Sequence, residues 1–230
     1  MSKAAFKLLD IEDTTKESIF SVIGRMESLM HLYKCDPAYK ELDAFLYTYL
    51  AVTKSVFNHV LDNEHFYQNF SAMERLDIEF AELFFKPTLI YLKGKEIPAP
   101  WANYYRYCEE RNPRGFLEVL LGIHVHINAD LPVAIIKAEF NNEGDYNKVN
   151  KVLEDAITEV MQYLFFYERD LLGLGGIVLR DYYLRQFSKI IITWRNNAWQ
   201  NAKILKKLTG NEQALAISYL QRTANQKSLE

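Results

Sequence analysis

The chain has 230 residues, of which 49% are hydrophobic, 14% aromatic and 25% charged, and glycine and proline are scarce. This composition is typical of a helix-rich globular protein and excludes a disordered or fibrous chain. A formal net charge of −3 at pH 7 provides no overall attraction to nucleic acid or to an anionic membrane. We therefore expect no nucleic-acid partner, and other partners have to be inferred from individual sites.

Cellular location is inferred from the cysteines and from the N-terminal segment. Cys35 and Cys108 show neither metal-binding nor disulfide spacing, and the first residues lack the basic, apolar and small-residue regions of a secretion signal. The apolar run at 119–136 reaches about the length of a membrane span. Its His, Asn, Asp and Pro residues would be expensive in lipid. We therefore expect a cytoplasmic protein with no membrane span.

Capping and helix-breaking residues predict a series of helices and no strands. Residues 14–17 form a capping-box pattern, and Asp36-Pro37 is an N-cap followed by a first-turn proline. The predicted helices span about residues 14–32, 36–61, 70–85, 116–141, 145–169 and 178–208, with a short last helix from residue 211.

Breaker residues predict where these helices end. Pro87 is expected to stop the third helix, and Gly173, Gly175 and Gly176 to separate the two long C-terminal helices. Gly210 ends the second of them. Residues 93–114 are rich in proline and are expected to be irregular, apart from a short helix around Tyr104. The fold class is therefore all-α, with one helical-bundle-like domain over residues 1–230 and a core at about 15–208.

The centre of this domain is predicted to be the segment that reads HVHINADLP at 124–132, in the most apolar part of the chain. A helix that is hydrophobic nearly all round is buried, so its polar groups need partners. Pro132 lacks an N–H, and its ring crowds the carbonyl of Asn128. We therefore expect the central helix to be kinked or broken near Pro132.

Three charged residues, Asp77, Asp130 and Arg195, fall on apolar helical faces. Burying an unpaired charge costs several kcal/mol at least. We therefore expect Asp77, His126, Asp130 and Arg195 to meet in one hydrogen-bonded cluster. The apolar neighbours at helical spacing are Ile123 and Ile127 for Asp130, Met73, Phe80 and Phe84 for Asp77, and Ile191, Ala198 and Trp199 for Arg195.

This constellation is compatible with acid–base chemistry that needs no cofactor. Burial raises the pKa of a carboxyl group such as that of Asp130, and a neighbouring His126 can hold or pass a proton. The candidate catalytic residues are His126, Asp130 and Asp77, and the candidate ligand-binding residues are Asn128, Arg195 and His124. A purely structural role, in which a buried Asp–Arg pair braced by a histidine sets the helix register, is the competing interpretation.

A metal-dependent hydrolase is a further alternative, since the i,i+4 spacing of His126 and Asp130 places two ligand types on one helical face, with Asp77 as a third. The sequence has no H-E-x-x-H motif, and Arg195 would repel a cation. A metal site is therefore not favoured.

A non-catalytic binding protein is another alternative. Many aromatic residues around a few polar groups are the usual make-up of a pocket for a small molecule. We expect this molecule to be largely apolar, and tyrosines such as Tyr104 and Tyr105 to lie at the surface, where they would form a pocket rim or meet a partner.

Four short motifs resemble an uncharacterised family of bacterial proteins known only as a domain of unknown function, DUF5995. Its most specific mark is H-I-N-x-D-L, present here as HINADL at 126–131 and followed by Pro132. Three further segments of this chain are similar to the other family motifs: YTYLAVT at 47–53, MERLDIEFA at 73–81 and RNNAW at 195–199. The resemblance covers about residues 19–202.

This resemblance implies a single all-α domain, and it brings no established activity. The polar residues of the family motifs match five residues of this chain: His126, Asn128, Asp130, Asp77 and Arg195. The sequence departs from the family pattern at Val125 and Glu82, where the pattern has Ala and Asn. Because the same charged residues stand out by periodicity, the resemblance favours a functional site over a purely structural cluster.

Overall fold

The computed structural model describes residues 9–11, 13–110, 115–167 and 169–227, and at residues 40, 154–155, 157–159, 161–184 and 227 it describes the backbone alone. The described residues form α-helices joined by short connections, and no β-strand occurs among them. The predicted all-α class is therefore confirmed.

The helices follow one another in chain order, and we number them α1 to α9. Short 3-10 helices, Thr14–Lys16 and Lys40–Leu42, precede the first two, and a π-helical turn, His126–Asp130, joins α5 to α6. The α-helices are α1 (Ile19–Cys35), α2 (Asp43–Asp62), α3 (Phe70–Leu92), α4 (Ala102–Glu109), α5 (Gly115–Val125), α6 (Leu131–Lys137), α7 (Glu143–Tyr167), α8 (Arg169–Leu205) and α9 (Gly210–Lys227).

The middle of the fold is the continuous helical segment Gly115–Lys137, made of α5, the π turn and α6. Its three parts are packed against α2, α3, α8 and α9. By length and composition it is long and apolar enough to cross a membrane, but 72% of its most apolar window is buried inside the protein. The predicted central position of this segment is confirmed, and the other helices supply the apolar surroundings that it needs.

The first two helices begin later than their capping patterns predicted. Ser18 is the N-cap of α1, and its hydroxyl accepts a hydrogen bond from the Ser21 N–H at 3.2 Å. Glu17, which was expected to complete the earlier capping box, accepts instead from the Ser21 hydroxyl at 2.7 Å. Asp36 caps only a turn, through the N–H of Ala38. Both capping patterns therefore lie near a helix start without marking its first residue.

Two predicted helix ends are wrong. Helix α3 continues through Pro87 to Leu92, because this stretch is packed deep in the core: Phe85 and Thr88 have no exposed surface. Helix α8 likewise runs through the three glycines that were expected to break it. A glycine lowers helix stability by only about 1 kcal/mol relative to alanine. The predicted break between α8 and α9 exists, but α8 already ends at Leu205, and Gly210, with a left-handed φ of 54°, is the first residue of α9.

Helix α4 forms around Tyr104, as predicted, but its tyrosines do not lie at the surface. Tyr104 and Tyr105 are both 1% exposed. The Tyr105 hydroxyl is 2.6 Å from Oγ1 of Thr88, so these two hydroxyl groups are hydrogen-bonded to each other inside the core. The prediction that these tyrosines form a pocket rim or a partner surface is therefore wrong. Their rings belong to an aromatic wall that packs against Trp101 beside the site described next.

Candidate functional site

The π turn at His126–Asp130 is the local distortion around which the site is built. The N–H of Leu131 donates to the carbonyl of His126, five residues earlier, and Pro132 occupies the first turn of α6. Proline cannot donate to the helical ladder, so the wider turn accommodates it. The expected interruption near Pro132 therefore exists, as one π turn inside a continuous helical segment.

Within this turn, His126 and Asp130 form a buried pair. Nδ1 of His126 lies 2.9 Å from Oδ2 of Asp130. The indole N–H of Trp101 donates to the same oxygen at 3.0 Å. The three residues are only 3%, 2% and 1% exposed. Asp130 therefore holds the imidazole by one nitrogen and is itself held by an indole that can only donate.

Aromatic rings enclose the imidazole of His126. The ring of Phe80 stacks on it in parallel, with the centroids 3.6 Å apart, and Tyr49 meets it edge-on at 4.7 Å. Burial lowers the pKa of His126 well below its usual value. Burial also raises the pKa of Asp130 well above its usual value, although the hydrogen bond from Trp101 counteracts part of that rise. These surroundings favour the neutral form of each partner.

An apolar cavity of about 90 Å³ lies beside this pair. Its wall is made mostly of aliphatic and aromatic side chains from α2, α3, the central segment, α7 and α8, and it includes His126 but not Asp130. The other residues that line it are Phe45, Thr48, Tyr49, Val52, Val56, Met73, Leu76, Asp77, Phe80, Ile123, Ile127, Leu131, Val149, Leu153, Val160, Phe187, Ile191 and Arg195.

Three residues of this wall each carry a buried polar atom that has no hydrogen-bond partner among the residues that the structure describes. These atoms are Nε2 of His126, Oδ2 of Asp77 and the hydroxyl oxygen of Tyr49. Buried polar groups are nearly always paired, so each such exception needs an explanation. Asp130 occupies Nδ1 of His126, and Nε2 is therefore the imidazole nitrogen that remains available to the cavity.

Asp77 and Tyr49 are electrostatically linked. Burial raises the pKa of Asp77 to about 7, and the negative charge of Glu74 adds to the rise. Burial also raises the pKa of Tyr49 well above its usual value, and the charges of Asp77, Asp130 and Glu82 raise it further. Asp77 therefore changes its protonation near neutral pH, whereas Tyr49 keeps its proton.

The structure brings only part of the expected cluster together. Asp77, His126 and Arg195 line one cavity, with Asp130 behind His126. Arg195, however, donates from Nε to Oδ1 of Asn150 at 2.9 Å and from Nη2 to the carbonyl of Tyr146 at 3.0 Å. It makes no hydrogen bond with either aspartate. The expectation of one hydrogen-bonded cluster is therefore wrong for Arg195 and for Asp77.

His124 and Asn128 lie away from this cavity, in a second cleft of about 380 Å³ between the π turn, α8 and α9. Nε2 of His124 is 3.1 Å from the carbonyl of Ala224, so it carries the proton. Nδ1 then accepts from the side-chain amide of Asn128 at 3.2 Å. These two residues do not share the apolar cavity with His126, and their part in ligand binding stays a prediction for the second cleft.

No group of three or more His, Cys, Asp or Glu side chains in the described part of the chain has an arrangement that could hold a metal ion. His126 and Asp130, the two ligands considered from their spacing, face each other at hydrogen-bond distance.

Two groups of this site, and one charged residue near it, were not identified from the sequence. Trp101 lies in a proline-rich segment with no periodic pattern, so nothing marked its approach to Asp130. Tyr49 lies in the family-like segment at 47–53, which is the one signal that pointed to it. Glu82, noted only as a departure from the family pattern, forms a buried ion pair with Arg25 next to this aromatic region.

Residues 19–229 match a family described as a family of unknown function, DUF5995. This chain belongs to that family. No curated protein and no solved structure matches the chain. The DUF5995 match runs past residue 202, where the motif resemblance ended, and includes the whole of α9. Membership of DUF5995 brings no activity with it, so function has to be argued from the cavity and its polar groups.

Proposed function

We propose that this DUF5995 protein is an enzyme that binds a small, largely apolar molecule in the 90 Å³ cavity and acts on it by acid–base chemistry at Nε2 of His126. The observation that carries the proposal is that Nε2 is buried on the cavity wall with no hydrogen-bond partner in the described part of the chain, while Asp130 holds Nδ1. An imidazole oriented by a carboxylate through one nitrogen is the usual arrangement of a general base.

The pair can move a proton in either direction, and its titration belongs to the pair rather than to one residue. Burial favours the neutral pair, in which Asp130 is protonated and donates to Nδ1, so that Nε2 carries a hydrogen. The N–H of Trp101 favours the carboxylate form of Asp130, in which Nδ1 carries the hydrogen and Nε2 has a lone pair. Nε2 therefore serves as a donor in the first form and as an acceptor in the second.

Asp77 supplies a second proton-transfer group on the same wall. Its pKa of about 7 allows both protonation states near neutral pH, which is the condition for efficient general acid–base catalysis. The Tyr49 hydroxyl keeps its proton and can donate a hydrogen bond to an oxygen of the ligand. Two groups with different pKa values on one apolar wall are the pattern that assigns an acid and a base.

The experiment compares turnover by the wild-type protein and by His126→Gln on ethyl esters with acyl chains from acetyl to butanoyl and on short terminal epoxides. Loss of the base should lower the rate on an accepted substrate by about a hundredfold or more. The matched control is His65→Gln, which removes a histidine whose side chain is 87% exposed and should not change the rate.

Binding of 1-hexanol by calorimetry separates this proposal from a non-catalytic binding protein. An enzyme that works as proposed retains 1-hexanol binding in Asp130→Asn but loses turnover, because the amide keeps the shape of the side chain and cannot exchange a proton. If wild type and His126→Gln turn over a substrate at equal rates and both still bind 1-hexanol, the protein is a non-catalytic binding protein and the proposed catalysis is wrong.

A further inference from the structure

Arg195 is a buried cation in the wall of the apolar cavity. It is 6% exposed, and its neighbours along the face of α8 are Ile191 and Ala198, each buried. Among the described residues, no carboxylate lies within ion-pair distance of its guanidinium, whereas the other fully buried arginine, Arg25, has the carboxylate of Glu82 as its partner. An isolated buried charge costs several kcal/mol.

The bonds that Arg195 does make fix its position without neutralising its charge. Nε and Nη2 donate to neutral oxygens of Asn150 and Tyr146, and the guanidinium carbon lies 4.4 Å above the ring of Tyr146. Tyr146 in turn donates from its hydroxyl to the carbonyl of Arg195 at 2.6 Å. Nη1 makes no hydrogen bond with the described residues, and Arg195 is one of the residues that line the cavity.

Asp77 on this wall and Asp130 behind His126 do not provide the missing anion. Asp130 is hydrogen-bonded to His126 and to Trp101. Asp77 makes no hydrogen bond with Arg195, and its carboxylate form is disfavoured by burial, which raises its pKa to about 7. Among the described residues, the cavity therefore combines an apolar wall with a cation that has no ion-paired carboxylate.

We propose that the ligand of this cavity is an amphipathic monoanion, a carboxylic acid with a short apolar chain, whose carboxylate pairs with Arg195 while its chain lies against Ile127, Leu131 and Leu153. The inference rests on the proposed function, because it concerns the same cavity, and it adds the class of molecule. A carboxylate suits the site because Nη1 provides a charge-assisted donor and the ligand charge neutralises the guanidinium. A cavity of 90 Å³ holds only a few carbon atoms, so the chain is short or extends out of the cavity.

The test compares hexanoate with 1-hexanol, which have the same chain length and differ in charge, by calorimetric titration of the full chain. Wild type is expected to bind hexanoate at least about tenfold more tightly than 1-hexanol, as for a charge-assisted hydrogen bond. Arg195→Gln keeps amide donors and removes the charge, so it should bind the two probes equally. Lys189→Gln, which removes an exposed charge from the same helix, should keep the wild-type preference.

A cavity-filling variant shows where the probes bind. Val56 lines the cavity and is buried, so Val56→Phe should abolish binding of both probes. Wild type that binds neither probe would overturn both this inference and the proposed function. Wild type that binds 1-hexanol as tightly as hexanoate would overturn the anion alone and leave an apolar ligand in place. A preference for hexanoate that persists in Arg195→Gln or in Val56→Phe would place the anion elsewhere and overturn the assignment to Arg195.

Discussion

Replacing Arg25 by Met is expected to lower the free energy of unfolding by about 3–5 kcal/mol at neutral pH, the range for removal of one partner of a buried ion pair. Arg25 and Glu82 are 4% and 1% exposed, and their side chains are hydrogen-bonded. Arg25 also lies over the ring of Phe85 at 4.1 Å, and Glu17 is 3.6 Å from its guanidinium. Methionine fills similar space but leaves the carboxylate of Glu82 buried without its cation.

Equilibrium unfolding in urea measures this loss. The double variant Arg25→Met with Glu82→Leu is the control, because removal of both charges should restore most of the stability lost in the single variant. A loss below about 1 kcal/mol in Arg25→Met, the range of an exposed pair, would show that this ion pair is not buried in solution.

Asp77→Asn is expected to stabilise the protein at alkaline pH, by up to about 4 kcal/mol above pH 8. Burial and the charge of Glu74 raise the pKa of Asp77 from 3.8 to about 7 in the folded protein. The folded protein therefore holds this proton more tightly than the unfolded chain, so its contribution to stability is full below about pH 4 and is lost as the pH rises through 7. Each unit of this pKa shift corresponds to about 1.4 kcal/mol of stability.

The measurement is the free energy of unfolding of wild type and Asp77→Asn between pH 4 and pH 9. Glu118 and Asp130, whose pKa values burial also raises, titrate in both proteins, so the difference between the two curves isolates Asp77. The exposed Asp62 gives the matched control, since Asp62→Asn should change stability by no more than about 0.5 kcal/mol at any pH. Parallel curves for wild type and Asp77→Asn would show that Asp77 titrates as an ordinary surface carboxyl.

If Asp77 takes part in catalysis as proposed, the same variant should be more stable and less active. Active sites often retain groups that cost stability in the folded state. A stabilised variant with unchanged turnover would remove Asp77 from the proposed mechanism and leave His126 and Asp130 as its proton-transfer groups.

Burial of individual charges was predictable from periodicity, but their partners were not. Asp130 and Arg195 are buried as their apolar faces indicated, because the 3.6-residue period shows which side of a helix meets the core. Arg195 nevertheless pairs with Asn150 and Tyr146 of α7. Which polar groups meet depends on how helices cross, and no period within one helix contains that information.

Helix ends, like the buried charges, depend partly on local sequence and partly on packing. Gly210 marked a boundary correctly because its left-handed φ is a local property of the backbone. Pro87 did not end α3, since the burial of the surrounding side chains outweighs the local cost of a proline inside a helix. Local signals therefore predict where a helix can end, and packing decides whether it does.

From the residues alone we could predict an all-α protein of the DUF5995 type, with a central apolar helix interrupted near Pro132 and with Asp130 and His126 one helical turn apart and able to pair. The sequence did not predict that His126 faces an apolar cavity while His124, two residues earlier, faces a different cleft with Asn128. The tertiary structure also brought Trp101 onto Asp130 from a segment 29 residues away. The physical reason is that pairing within a helical turn follows from spacing along the chain, whereas the position of a cavity follows from how the side chains of separate helices fill the space between them.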